Sequence, residues 1–201
     1  MATNKTTRIE AINTMLSVIG EPPVNTLTGV NRADVLIASS ILDEVSREVQ
    51  SEGWHFNTDD KVPFVPDVDG YIAIPENVLR LDMTDEVYGK DLVARNGRIF
   101  NKIALSDIWE QGTTLYCTVV YLFEFDSIPQ AARHYITIRA ARIFSNRMVG
   151  DKANHQYTSI DEFKALITLK EYEGETGDYT MFDNYTIGAI VDRPRIAPRV
   201  F

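Results

Sequence analysis

The sequence predicts an α+β fold: a four-helix bundle with an inserted small antiparallel β lobe and an extended C-terminal arm. Apolar residues recur at helical spacing before residue 57 and again between residues 128 and 174. The intervening stretch changes to short β-branched and aromatic runs punctuated by proline and glycine, which is typical of strands joined by turns. We therefore divide the chain into residues 1–57 (helices one and two), 58–127 (the β lobe), 128–174 (helices three and four) and 175–201 (the arm).

The first helix is predicted over residues 6–19. Thr7 and Glu10 have the spacing of a capping box, in which each side chain bonds the other residue's backbone amide. A glycine accepts the left-handed conformation that ends a helix, and proline continues neither helix nor sheet. The turn that follows is therefore set by three residues: Gly20, Pro22 and Pro23.

The second helix is predicted over residues 31–52, antiparallel to the first, with Asn31 as its cap and Asp34 completing a second capping box. Trp54 and Phe56 follow it and carry too much apolar area to stay in water, so we expect both to pack. The predicted apolar stripe of this helix is Val35, Ala38, Leu42, Val45 and Val49.

The β lobe contains two clear signals. Asn96-Gly97 between apolar runs is the strongest short hairpin signal. Residues 113–125 are long, apolar and rich in β-forming residues, which predicts the central strand of the sheet.

Two further helices are predicted over residues 129–149, with Gly150 as the cap, and over 152–173. The apolar face of the third is Ala132, Tyr135 or Ile136, Ala140, Ile143 or Phe144, and Met148. The residues expected to point inward from the fourth are Tyr157, Ile160, Phe163 and Ile167.

The third helix carries four arginines and no acidic residue, whereas residues 31–52 hold five acidic residues against two arginines. Two interpretations remain open. The two helices can pack side by side and pair their charges, or the arginine face can meet another subunit or partner. The residues concerned are Arg133, Arg139, Arg142 and Arg147.

The arm combines aromatic residues with a basic end in an otherwise acidic protein. It is too apolar for a solvated linker, and aromatic and arginine residues are enriched at interface anchors, so it is either a docking arm or a disordered terminus. Its candidate docking residues are Tyr179, Met181, Phe182, Arg193, Arg195 and Arg199.

Composition limits the possible functions. At 201 residues and 44% hydrophobic the chain can bury one good core, and its net charge of −9 argues against nucleic-acid or membrane binding over the whole surface. A single cysteine, Cys117, excludes an internal disulfide and a cysteine-based zinc site. No apolar run has the length of a signal or membrane segment, so we expect a protein used without secretion by a standard signal.

Motifs for chemistry are lacking, so we expect no catalytic, cofactor-binding or metal-binding residues. A glycosidase needs only two carboxylates in a cleft, which leaves a polysaccharide- or peptidoglycan-cleaving hydrolase as an alternative. A DNA-gripping module, suggested by the arginine helix and the basic tail, is a third hypothesis. The candidate carboxylates are Asp59, Asp60, Asp107, Glu110, Glu124 and Asp126.

Several blocks resemble one family. IGEPPVNTL at 19–27, ADV at 33–35 before a long helix, and VQSEGWHFN at 49–57 are similar to tail tubular protein A, the head-to-tail adaptor of short-tailed Autographiviridae-type bacteriophages. TIRAARIFSNRMVG at 137–150 and EYEGETGDYTMFD at 171–183 extend the resemblance, whereas residues after Ile187 depart from the family pattern.

The resemblance implies a structural virion protein of the short tail at the portal vertex, assembled in the host cytoplasm. It implies a homo-oligomeric ring, a dodecamer, that joins the portal protein to the nozzle (tail tubular protein B), with tail fibres near that junction. DNA would pass through the lumen without specific binding, and no membrane is involved. The helices would supply side-to-side contacts, with the arginine face toward neighbours and the arm toward the portal, and the β lobe would face the nozzle or fibres.

Overall fold

The computed structural model describes residues 5–29, 31–83, 91–150 and 152–177, with the side chains of residues 152–158 excepted. These residues form a mixed α+β fold of four helices and five strands. Two 3₁₀ turns, His55–Asn57 and Phe125–Ser127, flank the sheet region. The elements in order are α1 (Arg8–Val18), α2 (Ala33–Ser51), β1 (Thr58–Phe64), β2 (Val78–Met83), β3 (Leu92–Arg95), β4 (Arg98–Asn101), β5 (Leu115–Tyr121), α3 (Gln130–Met148) and α4 (Lys152–Thr176).

The start of α1 confirms the predicted capping box. The Thr7 hydroxyl accepts a hydrogen bond from the Glu10 amide, and the Glu10 carboxylate accepts one from the Thr7 amide at 2.7 Å. The two backbone amides that lack helical partners are thereby satisfied.

The start of α2 differs from the prediction. The helix begins at Ala33 with Arg32 as its cap residue, and the Arg32 side chain makes no capping hydrogen bond. The carboxylate of Asp34 pairs with the Arg32 guanidinium instead of closing a box with Asn31. An adjacent cation is a stronger partner for a carboxylate than a neutral backbone amide, which explains why this local pattern failed.

The main core lies between α1, α2 and α3. The predicted stripe of α2 is buried throughout, and α3 contributes most of its predicted face, although Met148 at its end is 43% exposed. α4 packs along α3 and adds Ala165 and Leu169 to this core. Trp54 is buried in the same core and Phe56 packs against its edge, as expected.

The inward positions predicted for Ile160, Phe163 and Ile167 of α4 are wrong, and the side chain of the fourth predicted residue, Tyr157, lies outside the described residues. Ile160, Phe163 and Ile167 are 47%, 63% and 40% exposed, while the opposite face, with Ala165 and Leu169, contacts α3. Apolar residues lie on both faces of this helix, so periodicity alone cannot choose between them. The small Ala165 permits close approach to α3, and Glu162 on the same side pairs with arginines of α3, which selects this face.

The β lobe has its own core around a three-stranded antiparallel sheet in the order β1-β5-β2, with β5 central as predicted. β3 and β4 form a separate hairpin whose turn residues, Asn96 and Gly97, have φ of 53° and 71°. Both values are left-handed, as a two-residue hairpin turn requires. Cys117 is fully buried, and burial raises the pKa of its thiol to about 11, so it acts as a core residue.

Both edge strands of the sheet are irregular, and in β2 the register shifts between Val78 and Arg80. In β1, Asp60 and Lys61 together face Thr118 of β5, so the register shifts between Asp59 and Val62. Lys61 has a φ of 58°, and the Asp60 carboxylate accepts a hydrogen bond from the Thr118 hydroxyl at 2.8 Å. These features define a β-bulge.

Gly53 lies where the chain passes from α2 to the sheet, and its backbone is in the left-handed region. Its φ is +81°, and a Cβ there would lie 2.8 Å from an Arg80 guanidinium nitrogen and 3.2 Å from Val120 Cγ2. Gly20 has a similar φ of +78° with nothing within 4 Å.

We predict that Gly53→Ala lowers the free energy of unfolding by more than Gly20→Ala. Both substitutions place Cβ in the left-handed region, which costs about 1–2 kcal/mol, and Gly53→Ala adds a steric conflict with the sheet. Urea denaturation followed by circular dichroism measures both losses. Equal losses in the two variants would show that the approach of Gly53 to the sheet carries no cost of its own.

Candidate functional site

The helix–sheet junction, which we define as residues 50–57 of the QSEGWHFN segment and the end of β5 that they contact, links the two cores. Gln50 is fully buried at the end of α2. Its side-chain amide donates to the Phe123 carbonyl at 3.0 Å, and its side-chain oxygen accepts from the Phe123 amide at 2.8 Å. The Gln50 side chain thus pairs with both backbone groups of Phe123, just after β5, in the way that the backbone of a neighbouring strand would.

Asn57 completes the junction. Its amide nitrogen donates to the carbonyls of Gln50 at 2.8 Å and Tyr121 at 2.7 Å, and its oxygen accepts from the Trp54 amide at 2.8 Å. The Trp54 indole nitrogen donates to the Val49 carbonyl at 2.7 Å. The buried polar groups of the Asn57 and Trp54 side chains therefore have hydrogen-bond partners, which avoids the free-energy cost of burying a polar group without one.

Arg133, the first of the four arginines on α3, is a buried anchor. It is only 4% exposed. Its guanidinium donates to the backbone carbonyls of Ile128 at 2.9 Å, Thr6 at 2.8 Å and Asp126. It therefore connects the residues before α1 to the start of α3, and each of its three nitrogens makes a hydrogen bond within the chain.

The other three arginines pair with acidic residues of α2 and α4. Arg147 makes two 2.9 Å hydrogen bonds to Glu44, and Arg139 bonds Glu48. Arg142 bonds Glu162, which also forms an ion pair with Arg139 at 3.7 Å. These ion pairs match the interpretation in which helices two and three pair their charges. Arg147 and Glu44 are each 51% exposed, so this pair also reaches the outer surface.

The turn with the double proline is held by one side chain. The amide of Asn13 donates to the Val24 carbonyl at 2.9 Å and accepts from the Val24 amide at 2.8 Å. Gly20 ends α1 with its amide bonded to the Ser17 carbonyl, and Pro22 and Pro23 are exposed.

The six arm residues named above, Tyr179, Met181, Phe182, Arg193, Arg195 and Arg199, lie outside the described residues. The helix that leads to them extends to Thr176.

Three of the six candidate carboxylates form bonds at separate places in the fold. Asp60 bonds Thr118 on β5, Asp107 pairs with Arg98, and Asp126 accepts the Arg8 amide at 3.0 Å. An open cavity of about 690 Å³ at the helix–sheet junction is lined by one of the six, Glu124, together with Asp43, Glu76, Arg8 and Arg47. Within the described ranges, no group of three or more His, Cys, Asp or Glu residues is arranged to hold a metal ion.

Comparison with known proteins gives one assignment. A family model described as tail tubular protein matches residues 9–179. The chain belongs to this family. The match covers all four helices, the junction and the sheet, so the chain is a structural protein of a phage tail, located in the virion and assembled there with other virion proteins. No curated protein matches the chain. Among the described residues, no helix is both long and apolar enough to cross a membrane.

Sequence reasoning missed the polar residues that build the junction. Gln50 and Asn57 stand in the quoted QSEGWHFN block, but only its aromatic residues were given a role. The signal available in the sequence was the presence of two amide side chains close to Trp54 and Phe56, two residues that were expected to pack.

Gln50→Leu is predicted to lower the free energy of unfolding by about 1–3 kcal/mol, because the half-buried Phe123 amide and carbonyl lose their partners. The matched control is Gln111→Leu, since Gln111 makes a single bond to the exposed Asp67 carbonyl. Chemical denaturation measures both. A loss for Gln50→Leu no larger than that for the control would contradict the assigned role of the junction.

The Glu44–Arg147 pair predicts an acid-dependent effect. The hydrogen bond from Arg147 holds the pKa of Glu44 below its ordinary value of 4.5. A lowered folded-state pKa contributes stability that is present above the ordinary pKa and is lost as pH falls through the folded-state pKa. We therefore expect Arg147→Gln to be less stable than the parent near neutral pH, and the difference to shrink below pH 4.5. A difference that stays constant across this range would contradict the pairing.

Proposed function

We propose that this chain is the A-type tail tubular protein, the head-to-tail adaptor ring that links the portal to the nozzle and lines the DNA conduit. The observation that carries the proposal is the position of the QSEGWHFN block in the fold. These residues, which resemble the family, form the helix–sheet junction between the helices and the β lobe. A subunit whose two ends contact different rings needs these ends held in a fixed relative position. The hydrogen bonds of the Gln50 and Asn57 side chains support this requirement.

The charge of the chain is consistent with a conduit. With a net charge of −9 per copy, a ring presents DNA with a repulsive rather than a binding environment. DNA binding through phosphates requires clustered Lys and Arg, whereas the arginines of α3 are paired with acidic residues or engaged by backbone carbonyls. These pairings weigh against the DNA-gripping hypothesis.

We assign the partners as follows. Arg139, Arg142 and Arg147 contact neighbouring subunits through the outer rims of their ion pairs, and Arg133 supports that face by anchoring α3. The basic end of the chain, Arg193, Arg195 and Arg199, docks on the portal, and the β lobe faces the nozzle or the fibres. Twelve copies in a ring is the number that the family resemblance implies. No observation favours the hydrolase alternative.

Sedimentation velocity tests the adaptor role. We expect the full chain to add the mass of twelve 22.7 kDa copies to purified portal rings. A truncation after Ile187 removes the basic end and should lose this association. If both forms bind, the ring assignment stands and the basic end is not its anchor. If neither binds, the adaptor role fails for that portal.

A charge swap separates the two interpretations of the arginine face. Arg147→Glu removes the pair with Glu44 and should impair both stability and assembly. The double variant Glu44→Arg/Arg147→Glu restores an internal pair but reverses the charges shown to a neighbour. If the face contacts another subunit, we expect the swap to regain stability without regaining ring assembly, as judged by electron microscopy of portal complexes. Recovery of both would indicate a purely internal pair.

A further inference from the structure

The outer face of α4, which we define as Ile160, Phe163 and Ile167, is an apolar surface with no partner among the described residues. The spacing of three and four residues places these side chains on one stripe of the helix. They are 47%, 63% and 40% exposed, and they lie opposite the face that Ala165 and Leu169 present to α3. Three large apolar side chains side by side on a surface mark an interaction site.

The chain itself supplies a segment of suitable reach. Twenty-four residues, 178–201, follow directly from the end of α4. The distance from Thr176 back to Ile160 is about 24 Å along the helix, at about 1.5 Å per residue. An extended segment advances about 3.3 Å per residue, so residues 178–187 are long enough to cover the whole face.

The composition of that segment fits the outer face. Residues 178–187 contain no lysine or arginine, and Asp178 and Asp183 are its charged residues. The outer face is bordered by Lys164, Lys170 and Glu171, all exposed, and Lys164 also pairs with Asp161 at 3.7 Å. The large apolar residues that the segment brings to the apolar stripe are Tyr179, Met181, Phe182, Tyr185 and Ile187.

We propose that residues 178–187 fold back along α4 of the same molecule and cover its outer face. Attachment at the end of the same helix gives this segment an effective concentration near the millimolar range, which favours it over a second molecule at ordinary protein concentrations. The basic residues Arg193, Arg195 and Arg199 are not part of the segment proposed to cover the face. The inference concerns the free chain and does not depend on docking to the portal.

Disulfide trapping in the free chain tests this inference. An extended segment that turns at Gly177 places Phe182 about 13 Å back along α4, near Ile167. The test variant is Ile167→Cys/Phe182→Cys. The matched control is Thr168→Cys/Phe182→Cys, because Thr168 is exposed and equally far from the chain end but lies about 100° around the helix. The native Cys117 is buried and remains in both.

We expect an intramolecular disulfide in the test variant to form at least tenfold faster than in the control under mild oxidation at low protein concentration, as measured by gel mobility and mass spectrometry. Equal rates would mean that the segment samples all directions and would overturn the inference. Disulfides formed only between molecules would overturn it in favour of a second copy. Absence of any disulfide in the test variant would also overturn it.

A truncation after Gly177 gives an independent reading. Removal of the segment should expose the outer face and raise the fluorescence of a hydrophobic dye several-fold relative to the full chain. Adding Phe163→Ser to the truncated chain should reverse most of this rise. Unchanged fluorescence on truncation, or a rise that Phe163→Ser leaves intact, would contradict coverage of α4.

Discussion

The need to satisfy buried backbone groups where α2 meets the sheet is the constraint on which this structure depends. The chain leaves β5 beside the end of α2, where the core of the helices and the core of the β lobe lie on either side. The side-chain amides of Gln50 and Asn57 bond these backbone groups, because each amide carries both a donor and an acceptor. An apolar residue at either position would leave backbone groups unpaired, so the joint is specified by chemistry as well as by shape.

Polar anchoring of this kind recurs at other junctions in the chain. Asn13 holds the double-proline turn by pairing with both backbone groups of Val24, and Arg133 gathers three carbonyls from segments far apart in sequence. In each case a long or branched polar side chain replaces the regular hydrogen bonding that a turn cannot supply. The helices and the sheet thus have separate hydrophobic cores, and a few hydrogen bonds from polar side chains hold the two parts in their relative orientation.

Local signals were enough to predict much of the fold. The capping box at Thr7, the Asn96-Gly97 hairpin and the central strand each depend on neighbouring residues and were predicted correctly. The orientation of α4 was not, because both of its faces are apolar and the choice depends on Ala165 and the Glu162 pairs with α3. The bonds of Gln50 join residues 73 positions apart, and nothing local reveals such a partner.

The bulge in β1 has a consequence for a protein that is assembled with other virion proteins. An exposed strand edge can recruit another edge and build open-ended sheets. In β1 the left-handed Lys61 and the following proline at position 63 interrupt the regular row of amides and carbonyls along that edge, and they place a charge on it. Other chains brought close to this edge are thereby discouraged from adding a strand to it, so that association is left to surfaces of defined geometry.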